Sequence, residues 1–177
     1  MQIEPGIAEK AKKIKMMVMD VDGVLTDGVI LFVSGRQEMK AFFVHDGLGL
    51  EMAHRAGIVT ALISGRESEV VTRRAEELQV SEVHQRVEEK VSVWEELLEK
   101  YRLLPENAAM VGDDLTDLPL LRRAGLSIAV ANAVDEIKAR ADYVTHRPGG
   151  RGAVREAAEL ILRAQGRYEE ELKRYLQ

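Results

Sequence analysis

Apolar and polar positions along this chain fall into two alternating patterns. Ile14–Met19, Ile58–Ile63, Ala108–Val111 and Ser127–Val130 are short runs, apolar at nearly every position. Such runs predict strands buried on both faces, as in a parallel sheet. A short strand near Val83 and another at Tyr143-Val144 complete the set. Between them, apolar residues recur every three or four positions. That period predicts helices over 48–56, 67–78, Lys90–Arg102, Thr116–Ala124, Val134–Ala141 and Ala153–Ala164, with Gly57 and Gly125 as stops. In Lys90–Arg102, the residues Val91, Trp94, Leu97, Leu98 and Tyr101 share one face, so Trp94 reads as core. Residues 1–13 form a polar lead-in of one or two helical turns, and the charged tail at about 166–177 reads as helical.

Strands alternating with helices predict right-handed crossovers. The expected fold is α/β: a Rossmann-like, doubly wound, mostly parallel sheet with helices on both faces, in one domain over residues 1–177. One segment breaks the alternation. Val29–Val33 and Met39–His45 are rich in strand formers and flank Ser34-Gly35-Arg36-Gln37-Glu38, which has turn chemistry. They predict a β-hairpin flap inserted after the first strand, over about 28–46. The flap is apolar at nearly every position, and a two-stranded ribbon cannot bury both its faces alone. It packs either on its own domain or on copies of itself, and the second is the stronger reading.

Composition narrows the function classes. A chain of 177 residues, 46% hydrophobic and 31% charged, is long and apolar enough for a real core. The net charge of -5 argues against sequence-independent nucleic-acid binding, which needs a basic face. It leaves room for an anionic small substrate, because local cations can outweigh the global sign. The absence of cysteine removes disulfides, thiolate catalysis and thiolate metal sites together. No run approaches membrane-spanning length, and the first residues lack the apolar stretch of a signal peptide, so the expected place is the cytoplasm, away from membranes.

The chemistry gathers at strand ends. Asp20-Val21-Asp22-Gly23-Val24-Leu25-Thr26-Asp27-Gly28 follows the first strand. Two carboxylates therefore sit where open α/β sheets carry their active groups. A carboxylate there can be a nucleophile if a cation offsets its repulsion from an anionic substrate; taken alone, the stretch is also an ordinary acidic turn. Ser64-Gly65-Arg66 puts a hydroxyl and free N–H groups at the next strand end, suited to a phosphoryl oxygen, or equally a serine cap beside a solvated arginine. Lys90 is singled out only by its order in the chain. Gly112-Asp113-Asp114-Leu115-Thr116-Asp117 crowds three carboxylates into one loop. A hard divalent cation relieves their repulsion, whereas helix capping accounts for one of them.

In this order the four pieces resemble the haloacid dehalogenase superfamily of phosphatases. Asp20 to Thr26 match its first signature, Ser64 its second, Lys90 its third and Gly112 to Asp117 its fourth. The resemblance implies Asp20 as nucleophile, Asp22 as general acid and base, and Ser64 and Lys90 as holders of the phosphoryl oxygens. It implies Mg²⁺ on Asp20, the Asp22 carbonyl and Asp113, with Asp114 and Asp117 ordering its waters or Lys90. An acid at position 22 points to a phosphatase or phosphomutase rather than an ATPase. The stretch from Ser64 to Lys90 has room for one helix and one short strand, so no cap domain is expected.

The finer pattern is similar to that of 3-deoxy-D-manno-octulosonate 8-phosphate phosphatases. It rests on Asp20 to Gly28, Lys40-Ala41-Phe42, Asp46-Gly47, Gly49, Ala141 to Thr145 and Gly149 to Glu156. The resemblance implies a homotetramer built through the 29–45 hairpin, a C-terminal tail reaching a neighbour's site, and lipopolysaccharide biosynthesis as the setting. It implies substrate contacts at Asp22, Phe43, Val44, His45, Asp46, Gly47, Ser64, Gly65, Arg66, Arg74 and Lys90, with Arg66 and Arg74 facing a sugar-acid carboxylate. Two departures remove positive charge: His45 stands where the family often has Arg, and the family often has a basic residue near Glu51. Enzymes for nine-carbon sugar acids typically carry Glu in place of Arg66, which favours the eight-carbon substrate. Another sugar phosphate, a receiver-like phosphoacceptor and an inactive oligomerisation module are weaker readings. The receiver pattern places its acid pair ahead of the acceptor strand, unlike this chain.

Overall fold

The computed structural model describes residues 3–33 and 38–176. The apolar runs become the six-stranded sheet expected of them. Its order is β5 (Glu82–His84), β4 (Val59–Ile63), β1 (Met16–Met19), β6 (Ala108–Gly112), β7 (Leu126–Ala129) and β8 (Tyr143–Val144). Every neighbouring pair is parallel. All residues of β1, β6 and β7 are buried, which is why they carry no polar face. The chain builds outward from β1 to β5, then returns to β6 on the other side of β1. The carboxyl ends of β4, β1 and β6 therefore meet where the strand order reverses, the crevice in which such sheets bind ligands.

Helices cover both faces. On one, α1 (Pro5–Lys12) and α2 (Val44–Arg55) pack on α7 (Ala153–Ala164), and α8 (Tyr168–Lys173) follows α7. The others are α3 (Glu69–Glu77), α4 (Lys90–Tyr101), which packs on α5 (Leu118–Leu121), and α6 (Asp135–Lys138). Trp94 is 1% exposed, as its place on the apolar face of α4 requires. No cap interrupts the described residues: only α3 and β5 lie between Ser64 and Lys90. Among the described residues, no helix is long and apolar enough to cross a membrane.

Three expectations change. The 14–19 run yields a strand only from Met16, because the Ile14 amide still bonds Ala11 O at the end of α1. Thr116–Ala124 divides into a 3-10 turn, Leu115–Asp117, and the short helix α5. Pro119 has no N–H to give, so it is accommodated only in a first helical turn. The hairpin changes most. β2 (Leu31–Phe32) and β3 (Glu38–Met39) pair antiparallel over two residues each; the turn expected at Ser34–Gln37 lies outside the described residues. The second arm ends at Met39, and α2 begins at Val44 rather than near residue 48. Gly47 and Gly49 both fall within α2, at places where other segments press close: a Cβ on Gly47 would lie 2.8 Å from Arg74 Nη2, and one on Gly49 2.8 Å from Arg155 Cα.

The hairpin does not bury its apolar side on its own chain. Phe32 is 76% exposed, and Val29, Leu31 and Met39 are exposed beside it. The tail, by contrast, docks locally. Glu171 of α8 is buried and accepts from Arg55 Nε at 2.7 Å, and Tyr175 accepts from the same guanidinium at 3.0 Å.

Candidate active site

The loop after β1 is a tight turn around Val21 O, which accepts from the amides of Val24, Leu25 and Thr26. Thr26 Oγ1 accepts from the amide of Gly28 at 3.2 Å and closes the turn. Gly23 sits at φ +95°, and a Cβ there would fall 2.0 Å from Asp113 Oδ2. Glycine at this position is therefore what lets the first acidic loop and the fourth come together.

Lys90 joins the elements. Its Nζ donates to Asp20 Oδ1 at 2.6 Å and to Asp117 Oδ1 at 2.7 Å, with all three side chains nearly or fully buried. Asp117 Oδ2 accepts from the Asp113 amide at 3.0 Å, so both its oxygens are engaged. Asp114 is exposed and caps the 3-10 turn through the Leu115 amide at 2.7 Å. Ser64 is buried at the end of β4, and its Oγ accepts from the Arg66 amide at 3.2 Å.

Burial and crowding set the charges. Burial first, then the Asp117 charge, pushes Asp20 up to about 6, with Lys90 opposing. Burial, then Asp20, Asp117 and Asp114, pushes Asp113 up to about 7. Burial would lower Lys90, but Asp117 and Asp20 outweigh it and raise its pKa, so it stays an ammonium. Asp20, Asp113 and Asp117 each bring an oxygen within 4.8 Å of the others. One lysine does not balance three acids, and the donors are all hard oxygens, so the cluster fits a divalent cation of the Mg²⁺ type. Because Asp117 is already committed to Lys90 and the Asp113 amide, Asp20 and Asp113 are the carboxylates with oxygens to offer.

A cavity of about 740 Å³ opens over this cluster, and Asp20, Asp22, Ser64, Gly65, Arg66, Lys90, Asp113 and Asp114 line it. The remaining expected contacts lie elsewhere on the chain. Arg74 packs on Gly47, stands 5.9 Å from the Phe42 ring centroid and pairs with Glu77 at 3.2 Å. Phe43 packs on His45, which lines a separate cavity of about 640 Å³ with Arg147 and Arg155. Val44 is 75% exposed. Asp46 is buried and accepts from the amides of Gly152 and Arg155 at 3.1 and 2.8 Å, so its carboxylate secures the start of α7.

Sequence reasoning missed Lys40 as a site residue. Its side chain is 1% exposed and its ammonium bonds Asp22 Oδ1. The available signal was one cation within an otherwise apolar arm. Arg66 Nε lies 3.6 Å from Asp22 Oδ2, which places that arginine, like Lys40, on the second acid of the loop.

A family model for haloacid dehalogenase-like hydrolases matches residues 68–155. The chain is 45% identical over 168 residues to the 3-deoxy-D-manno-octulosonate 8-phosphate phosphatase of Salmonella typhimurium, covering 95% of this chain and 89% of that protein. It is 44% identical to the crystal structure of the Moraxella catarrhalis phosphatase of that name, solved with a magnesium ion, a phosphate ion and a KDO molecule. That match has a TM-score of 0.93 and covers 96% of this chain and 97% of the other. A cobalt-bound form of the Haemophilus influenzae phosphatase is 39% identical, with a TM-score of 0.86 and coverage of 89% and 92%.

Proposed function

The chain belongs to the haloacid dehalogenase-like hydrolases, and from that premise we propose that it removes the phosphate of 3-deoxy-D-manno-octulosonate 8-phosphate through a phosphorylated Asp20. The observation that carries the reading is the bridge from Lys90 to Asp20. A buried carboxylate pushed up to about 6 is kept available as a nucleophile at neutral pH by an ammonium 2.6 Å away. Asp20 attacks phosphorus while the sugar oxygen leaves, and Asp22 protonates that oxygen. Asp22 then takes a proton from the water that releases phosphate. Ser64, the Gly65 backbone and Lys90 supply donors for the phosphoryl oxygens as charge redistributes. Asp20, the Asp22 carbonyl and Asp113 would hold Mg²⁺, which supplies charge neutralisation at the phosphate.

Substrate choice rests on Arg66, which lines the cavity and offers a planar fork to the sugar-acid carboxylate. Glu51, one of the two departures, is met by Arg55 at 2.6 Å, so its charge is answered within α2. With Mg²⁺ present, kcat/KM for the eight-carbon substrate is expected to exceed that for the nine-carbon sugar acid phosphate by roughly tenfold or more. Glucose 6-phosphate should be poorer still. A reversed order among the sugar acids would select the nine-carbon reading.

The exposed hairpin supplies the quaternary part of the reading. In a cytoplasmic homotetramer, copies of the chain would cover Val29, Leu31, Phe32 and Met39 and help exclude water from an uncapped site. Sedimentation as a monomer at micromolar concentration would remove this part.

The acid cluster also carries a pH prediction. The unfolded Asp20 and Asp113 lose protons near 3.8, while the folded ones hold them up to about 6 and 7. Between these values the folded chain binds more protons, so the cation-free protein loses stability as pH rises. Mg²⁺ at one fixed concentration, about a hundred times its Kd at pH 8, is therefore expected to raise Tm by roughly 5–10 °C at pH 8, and by clearly less near pH 5.5, where protonated acids bind it more weakly. Equal shifts at both pH values would rule these acids out as the ligands.

A further inference from the structure

The hairpin inverts the ordinary order of burial. Phe32 and Met39 are 76% and 58% exposed, while the side chain of Lys40, next to Met39, is 1% exposed. Confining an ammonium group in this way is unfavourable unless a counter-charge meets it. Its partner among the described residues is Asp22, through Oδ1. The other oxygen, Oδ2, lies 3.6 Å from Arg66 Nε, and Arg66 Nη2 reaches Glu38 Oε2 at 3.5 Å. Glu38 and Lys40 alternate with Met39, as the two-residue period of an extended arm requires. The apolar residue faces out, and the two charged ones turn toward the acid loop and the arginine of the cavity.

From this clasp we infer that Lys40 is a positioning residue for proton transfer. It holds the Asp22 carboxyl by one oxygen and so fixes the direction from which the other oxygen meets the leaving group. The inference rests on the phosphoryl-transfer reading given above. In that step an Asp20 oxygen bonds to phosphorus, the bond from phosphorus to the sugar oxygen breaks, and the proton on Asp22 passes to that sugar oxygen. A carboxyl held from one side presents its free oxygen in a single orientation; one without the clasp samples several rotamers. A displacement of about 1 Å is enough to cost on the order of 100-fold in rate. The arrangement also ties chemistry to the hairpin: whatever moves the exposed apolar arm moves the group that orients Asp22.

The test is single-turnover release of the leaving alcohol, with Lys40→Met and Lys40→Gln each compared with the parent. One substrate is 3-deoxy-D-manno-octulosonate 8-phosphate, whose primary alkoxide needs a proton to leave. The other is 4-nitrophenyl phosphate, whose phenolate leaves without one. At saturation Lys40→Met is expected to slow alkyl release by roughly tenfold to a hundredfold, and 4-nitrophenol release by less than about threefold. Lys40→Gln keeps a hydrogen-bond donor and should recover part of the alkyl rate. Any result in which the alkyl substrate is not the more strongly slowed overturns the assignment, including equal slowing by a distorted site. Asp22→Asn, run in parallel, separates the two levels of the argument. Parent-like alkyl release from Asp22→Asn would defeat the phosphoryl-transfer reading itself. Loss of alkyl release there, with Lys40→Met unaffected, would defeat only the role of Lys40.

Discussion

Asp20→Asn is expected to lower kcat by at least about three decades with Mg²⁺ present, because an amide oxygen is too poor a nucleophile to displace an alkoxide from phosphorus. The loss should fall on chemistry rather than on folding. Asparagine keeps an oxygen that can accept from Lys90 Nζ, now 2.6 Å from Asp20 Oδ1, so that contact can persist without the charge. The measurement is steady-state turnover together with acid-quenched mass spectrometry. The parent should show an added phosphoryl group on Asp20 during turnover, and the variant none. Asp22→Asn should show a comparable loss of kcat for a different reason. Its nucleophile is intact, so with 4-nitrophenyl phosphate it should form the adduct and fail to hydrolyse it, leaving phosphorylated enzyme to accumulate. Near-parent turnover in either variant would break the assignment of roles.

Lys90→Met is expected to damage both stability and activity. It leaves Asp20 and the fully buried Asp117 facing each other without the ammonium that now bonds both. Stripping one partner from a buried ion cluster costs about 3–5 kcal/mol. For a chain of this size that corresponds to a fall in Tm of roughly 10 °C or more. The sign with pH follows from the acids. Burial and Asp117 already push Asp20 up to about 6 in the presence of Lys90, and removing the lysine pushes it further in the same direction. A folded-state carboxyl raised above its unfolded value binds a proton that the unfolded chain has released, so stability falls as pH rises through that window. The deficit relative to the parent should be large at pH 8 and should shrink near pH 5, where the acid cluster takes up protons. A deficit equal at both values would mean that lost packing of the lysine stem, not charge, explains the effect. Activity should fall as well, because the same ammonium holds the nucleophile ionised and offers a donor to the phosphate.

How much of this was legible follows from how local each signal is. The buried strands were visible because a parallel strand covered on both faces must be apolar along its length, as Met16–Met19 and Ala108–Gly112 are. The boundary of the hairpin was not. Phe42, Phe43, Val44 and His45 have strand-like side chains, yet Val44 begins α2. The helix is secured there by contacts distant in sequence: Asp46 takes the amides of Gly152 and Arg155, and Gly47 makes room for Arg74. Asp46 illustrates the same limit at the level of function. The family resemblance implies a substrate contact there, and only the amides of Gly152 and Arg155, 106 and 109 positions away, show that its carboxylate anchors a helix start.

From sequence alone came the sheet class, the acids at the strand ends and the order Asp20, Ser64, Lys90, Asp113, because each depends on residues close together in the chain and on strand polarity. The tertiary structure alone decided which charges touch. The Lys90 bridge to Asp20 and Asp117 spans 70 and 27 positions, and the Lys40 contact with Asp22 spans 18. Such pairings are set by how β1, β6, α4 and the hairpin converge in space, and no pattern of spacing along the chain encodes that convergence.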